Sequence, residues 1–301
     1  METPKSERPP ILFGANVDPT ADDPRRPVEL ARAVEEAGFD LIGVQDHPYN
    51  AGFLDTWTLI AVLAQATQRV RFFPNVANLP LRPPLMLAKA VATLDVLSGG
   101  RLELGLGAGA FAEGIVAMGG PRRSAGEAVA ALEEAMQLIR RFWSGERSLH
   151  FQGRYYSAQG ARPGPRPAHS IGIWLGAYRP RMLRLTGRLA DGWIPSSTYA
   201  APEQLPAMQR QIDEAAQQAG RPPRAIRRIY NIVGQITDSG PGWERGTFRG
   251  GVQDWIAELT RLVREVELDT FIYWPLEDRL RQVQRFAAEV VPGVREALST
   301  P

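Results

Sequence analysis

Four short segments hold the residue types that could do chemistry. Gln45–Pro48 (QDHP) carries His47, one of only three histidines. An imidazole with an unperturbed pKa near ~6.5 can donate or accept a proton near neutrality. The alternative is a histidine that bridges loop carbonyls beside a solvated Asp46. Gly105–Gly109 (GLGAG) could bring a backbone close to a ligand, but position 110 is alanine and no helix starts at once, so the dinucleotide fingerprint is not met. A tight turn at a strand end is the competing reading. Gly176–Pro180 (GAYRP) opens a helix with Pro180 in its first turn, and free N–H groups there, with Arg179 and Arg181 nearby, would suit a phosphate. Two solvated arginines on an ordinary turn would explain it equally. Pro74–Asn78 (PNVAN) is the fourth segment. His150 and His169 fall in an insertion and read as structural or exposed; three scattered histidines lack metal-ligand spacing. With no cysteine, disulfides, thiolate metal sites and cysteine nucleophiles are excluded.

All four segments end strand candidates. Short apolar runs at Ile11–Ala15, Leu41–Gln45, Val70–Asn75, Leu102–Leu106, Ile171–Leu175, Gly192–Pro195, Arg228–Ile236 and Thr270–Trp274 alternate with helix-length amphipathic stretches. Their continuity, rather than strict alternation, is that of strands buried on both faces. Leu87, Ala90, Val91, Leu94 and Leu97 form one helical stripe, and Val129, Leu132, Met136, Ile139 and Trp143 another. Ser124 with Glu127 predicts a capping box, and Gly38 a left-handed helix end after Ala37. Eight βα units over about 280 residues predict a (β/α)8 TIM barrel. A doubly wound open sheet is the alternative, since alternation does not show closure. Insertions are expected after strand four (Gly107–Arg123), before strand five (Ser144–Ser170, with a hairpin around HFQGRYY) and after strand seven (Thr237–Gly251). Residues 1–10 read as a loose lead-in and 11–301 as one barrel domain.

Thirty-five basic and 33 acidic residues leave a net charge of +2, too little to argue for nucleic acid or an acidic membrane. No window reaches the length of a transmembrane span, and METPKSERPP lacks the apolar core of a signal peptide, so a cytoplasmic, soluble protein is expected.

Taken together, the segments resemble the bacterial-luciferase-like family of flavin- and deazaflavin-dependent oxidoreductases. The similarity runs from about Ile11 to Ile236 and is densest in AGFDLIGVQDHP, LDTWTLIAVLAQATQRVRFFPNVANLPLRPP, LAKAVATLDVLSGGRLELGLGAG and IWLGAYRPRMLRLTGRLADGWIPS. The resemblance implies that His47 lies beside the flavin ring and that Asn75–Val76 forms a bulged strand with a non-prolyl cis peptide behind it. It places Asn78 near the ring edge, Gly107, Ala108 and Gly109 along the ring or tail, and Gly176, Ala177 and Tyr178 at the phosphate. It also implies a homodimer or higher homo-oligomer. Ala110 stands where some deazaflavin dehydrogenases carry a glutamate, with Glu113 the nearest carboxylate, and the family's frequent Arg-His-Pro reads Arg82-Pro83-Pro84. A sugar-phosphate substrate is therefore not implied.

The resemblance supports hydride transfer between coenzyme F420 and an organic substrate. An FMN-dependent monooxygenase using oxygen is the alternative, and a cofactor-binding barrel without turnover is a third reading. Apolar Phe53, Leu54, Phe111 and Met118 around the mouth make the third thinkable, while two long loops at the active face argue against a bare scaffold. Five glycines in Thr237–Gly251 suggest a mobile lid whose Arg245 and Arg249 meet the cofactor's anionic tail.

Overall fold

The computed structural model describes residues 10–299, so the expected lead-in lies outside the described residues apart from Pro10. The barrel has eight strands in chain order: β1 (Leu12–Asn16), β2 (Leu41–Val44), β3 (Arg71–Pro74), β4 (Leu104–Gly107), β5 (Ile173–Leu175), β6 (Gly192–Trp193), β7 (Arg227–Ile236) and β8 (Thr270–Pro275). The principal helices are α1 (Arg26–Glu36), α2 (Thr56–Ala66), α3 (Pro84–Ser98), α4 (Ala125–Trp143), α5 (Pro180–Leu189), α6 (Leu205–Gln218), α7 (Val252–Glu265) and α8 (Arg279–Arg285). A π-turn over Phe286–Val290 leads from α8 into the last helix, Val291–Ser299. Among the described residues no helix is long and apolar enough to cross a membrane.

The strands pair in parallel in the order β3-β2-β1-β8-β7-β6-β5-β4. The ring closes between β3 and β4 through a bridge at Phe72 and Leu102, where Phe72 N–H donates to Arg101 O at 2.8 Å and Glu103 N–H to Phe72 O at 2.9 Å. Closure decides for the TIM barrel over the open sheet. Leu41, Phe73, Trp174, Ile194, Ile229 and Ile272 form one apolar cluster, separate from the larger core that includes the helices. Both faces of most strands are therefore apolar, which is why the runs read as continuous.

Ser124 and Glu127 form the expected capping box at the start of α4, and Gly38 is left-handed at φ 88°. The insertion before β5 contains an antiparallel hairpin, Leu149–Gln152 with Ser157–Ala161. Two expectations need correction. On α3 the buried face is Pro84, Leu87, Ala88, Val91, Ala92 and Asp95, while Leu97 is 78% exposed. Asp95 takes the inward position because its carboxylate accepts N–H groups from Leu102, Ala168 and His169, tying the insertion's return path to the barrel. The segment after β7 is not an open glycine-rich lid. It forms a hairpin, Gly242–Glu244 with Thr247–Gly250, whose second strand extends the sheet beside β7. Trp243 holds it down, packing on Phe248 at 5.2 Å and donating from Nε1 to Glu258 at 2.7 Å.

Candidate active site

The C-terminal ends of β2 to β5 form one continuous strip. At the end of β2, Asp46 is almost fully buried. Its carboxylate accepts the Asn78 N–H at 2.9 Å and two donors from Arg82, at 2.7 and 3.2 Å. Arg82 also reaches Asp55 at 2.5 Å, and Asp55 caps α2 by accepting the Thr58 N–H at 3.0 Å. The solvated Asp46 of the simpler reading is thus replaced by a buried ion-pair network that locks the segment after β3 onto the end of β2. Its two acids balance and orient the guanidinium, as a buried charge requires.

His47 stands next to this anchor, on the rim. Its Nδ1 is 2.9 Å from the Tyr49 hydroxyl, and its ring lies 5.6 Å from Tyr49 and 6.3 Å from Phe53. The ring is exposed at its outer edge, but crowding by these neighbours partly desolvates it and holds its pKa below the usual imidazole value, against the opposing charge of Asp46. Burial pushes the Tyr49 phenol up. Tyr49 packs edge-on to Phe111 at 5.1 Å. Gly114 makes that contact possible: a Cβ there would sit 2.5 Å from the Phe111 ring and 2.7 Å from Tyr49.

Asn75–Val76 is a cis peptide, as the resemblance implied. After it the chain leaves β2 and pairs with β4 through the two-residue strand Ala77–Asn78, with Asn78 opposite Gly107. Val76 packs beneath the glycines of β4 and the β5 turn. A Cβ at Gly107 would meet Val76 at 2.8 Å, one at Gly176 at 3.4 Å, and one at Gly105 would strike the Pro74 carbonyl at 2.0 Å. The GLGAG glycines are therefore close-approach positions, beyond a simple turn. Asn78 Oδ1 is buried without a hydrogen-bond partner, an acceptor that an N–H-bearing ligand would satisfy.

Asn75 also turns toward the far side of the barrel. Its Nδ2 donates to Asn231 Oδ1 at 2.7 Å, and Asn231 Nδ2 returns a bond to Asn75 Oδ1 at 3.3 Å. Beyond it, Asp18 accepts from Asn16 at 2.6 Å and Gln45 at 2.8 Å, and pairs with Arg279. At the end of β5, buried Ala177 accepts from Trp193 Nε1 at 2.9 Å. The Tyr178 hydroxyl accepts the Ser196 N–H at 3.0 Å, and its ring meets Tyr199 at 5.5 Å. The helix α5 begins at Pro180 itself, with Arg179 in the cap position. The tip of the β7 hairpin approaches the same loop, since a Cβ at Gly246 would lie 2.4 Å from Ser197 O.

All ten residues singled out from the sequence lie on this strip. His150 is exposed, and His169 is structural, with Nδ1 2.8 Å from buried Asp95 and Nε2 3.6 Å from Glu103. Among the described residues no group of histidines and acids could hold a metal. A cavity of ≈ 840 Å³ lined by Gln209, Asp213, Arg228 and Asp269 opens at the N-terminal ends of the strands, away from the strip. Sequence reasoning missed Tyr49, Arg82, Asn16, Asp18 and Asn231. Asn16 and Asn231 carried a usable signal, because an amide inside an apolar strand must find a partner.

The sequence model for luciferase-like monooxygenases matches residues 10–239. The chain is 33% identical over 222 residues to an F420-dependent glucose-6-phosphate dehydrogenase of Nakamurella multipartita, the match covering 71% of this chain and 64% of that protein. A protein of the same description from Intrasporangium calvum is 28% identical over 326 residues, covering 90% and 95%. Among solved structures, an F420-dependent secondary alcohol dehydrogenase in complex with an F420–acetone adduct superposes with a TM-score of 0.85 at 20% identity, covering 95% of this chain and 100% of that one. The F420-dependent tetrahydromethanopterin reductase of Methanopyrus kandleri gives 0.82 at 19%, covering 94% and 99%. At these identities the superpositions establish a shared fold.

Proposed function

The chain belongs to the luciferase-like monooxygenase family, and on that premise we propose that it is an oxidoreductase using coenzyme F420 at the C-terminal mouth of its barrel. One observation carries the reading: Val76 lies beneath Gly107 and Gly176, while Asn78, with its unpartnered Oδ1, is tied by its backbone N–H to Asp46, the residue beside His47. That strip fits a flat ring presenting an N–H edge. When bound, F420 supplies a carbon that takes up or delivers a hydride, and the protein supplies position and electrostatics.

In this reading Asn75 and Val76 back the ring, and Asn78 meets its edge. Gly107, Ala108 and Gly109 line the ring or the start of the tail. Gly176, Ala177 and Tyr178 form the turn that receives the phosphate, helped by the free N–H groups in the first turn of α5. Arg179, Arg181, Arg245 and Arg249 are exposed, placing positive charge where an anionic tail would run. His47 holds or moves a proton at the substrate. Residues 11–301 act as one catalytic unit. A homodimer through α2 and α3 is part of the reading, because Val62, Met86, Val96 and Leu97 leave apolar side chains on their outer surfaces.

Spectroscopic titration with F420 and, in parallel, FMN tests the proposal. Saturable F420 binding that weakens in Gly176→Asp is expected; FMN binding in its place would move the assignment to the oxygen-using branch.

A further inference from the structure

The N-terminal ends of the strands hold a second pocket, at the opposite end of the barrel from the mouth. On β7, Ile229 belongs to the interior cluster, while Tyr230 and Ile232 belong to the core shared with the helices. Arg228 has the parity of Tyr230, so its side chain leaves the interior for the helical layer. There it pairs through Nη2 with Asp213 on α6. Gln209 lies one turn before Asp213 on the same face of that helix. Arg228 and Gln209 both border the cavity of ≈ 840 Å³, and each is at least nine-tenths buried. Among the described residues, Arg228 Nη1 and Gln209 Nε2 have no hydrogen-bond partner. Burial raises the Asp213 pKa and lowers that of Arg228, so both ions have given up hydration.

Two buried donors without acceptors demand a partner with lone pairs. Water could meet that need, at about 30 Å³ per molecule. The cavity is far larger than two waters and falls in the range of small-molecule pockets, about 300–1,000 Å³. Ile11, Pro223, Ile226, Val263 and Leu268 line it, and such walls favour an apolar body over water. Charge narrows the choice further. Glu267 and Asp269 join Asp213 around the cavity, against Arg224 and Arg228. An anion would face three carboxylates. A cation would face the Arg228 guanidinium and leave both donors unanswered.

We propose that this pocket binds an uncharged carboxamide with an apolar body. Its carbonyl oxygen accepts from Arg228 Nη1 and Gln209 Nε2, and the body covers Val263 and Leu268. The site stands independently of the redox chemistry at the mouth.

Calorimetry on the whole protein tests this with three probes of one shape: cyclohexanecarboxamide, cyclohexanecarboxylate and cyclohexylmethylammonium. The carboxamide should bind saturably with a negative heat-capacity change, about tenfold or more tighter than either ion. It should also move the nitrogen NMR signal of the Gln209 side-chain amide. Gln209→Leu removes one donor at similar volume and should weaken the carboxamide about fivefold, with F420 titration unchanged. Arg228 is left in place, because its loss would strand Asp213. No binding of the carboxamide would mean that water alone serves the donors, and overturns the proposal. Equal affinity for all three probes overturns it too, since the apolar walls alone would then be responsible. So does carboxamide binding that leaves the Gln209 signal unmoved, which would place the molecule elsewhere.

Discussion

The Tyr49 hydroxyl sits 2.9 Å from Nδ1 of His47, two residues away on the same loop. Burial keeps the phenol protonated and the imidazole neutral at pH 7. A phenol is a far better donor than a neutral imidazole N–H, so the hydroxyl donates to Nδ1 and the ring proton resides on Nε2. Tyr49 is in this sense a positioning residue. Tyr49→Phe should lower kcat about tenfold, within the usual range for a general acid–base group, and leave KM within about twofold. Nitrogen NMR of the ring should show a mixed tautomer in the variant; an unchanged single tautomer would remove Tyr49 from the role.

Because burial depresses the His47 pKa, its protonation on acidification is delayed. The acidic limb of the rate profile should lie below the usual imidazole value of about 6.5. Asp46 opposes that shift, so Asp46→Asn should move the limb further down. A limb above 6.5 would mean that another group titrates.

Arg82 balances buried Asp46, and its loss leaves an uncompensated charge. Arg82→Met should cost about 3–5 kcal/mol in denaturant unfolding. Adding Asp46→Asn should restore part of it, since the stranded charge is gone. Equal stability of the single and double variants would show that the pair is not coupled.

His169 has its pKa raised, chiefly by the Glu103 carboxylate 3.6 Å from its Nε2, with hydrogen-bonded Asp95 adding its charge against desolvation. A raised folded-state pKa stabilises the fold below the unfolded value near ~6.5 and ceases to do so as pH rises through the folded value. His169→Gln should therefore lower Tm more at pH 5.5 than at pH 9. The reverse order would contradict a charged His169 between two acids.

At Gly107, an added methyl would press on Val76. Gly107→Ala should weaken F420 binding by about tenfold, the scale of 1.4 kcal/mol, because Val76 is pushed into the proposed ring site. Unchanged affinity with a lowered Tm would make the contact purely structural.

The strand order, the identity of the mouth segments and the likeness of Ile11–Ile236 to a flavoenzyme family were legible because they depend on local signals. Apolar continuity marks strands buried on both faces, and the loop leaving the C-terminal end of each parallel strand must lie at one end of a barrel. Position brought the segments of His47, Asn78 and the glycines forward, and the family resemblance then assigned Asn78 and the glycines their places. Leu97 was misassigned because an apolar stripe was followed past Asp95, and the demand of three distant N–H groups set the face instead. The β7 loop was misread because glycine content reports freedom in the unfolded chain, while Trp243 and its bond to Glu258 settle the folded one.

By itself the sequence determined the alternation of barrel strands and helices and their order, and, with no cysteine, took thiol chemistry out of the mouth. Tertiary structure alone decided which charges are free. Arg82 and Asp46 are 36 residues apart, and Asn75 and Asn231 are 156 apart. Such pairs have no period or local motif to announce them; they exist because closing the ring brings strands distant in sequence to one end. Pairing then removes Arg82 from the surface chemistry and leaves His47 among aromatic rings. Which charges are paired and which rings surround His47 is thus a property of the closed barrel.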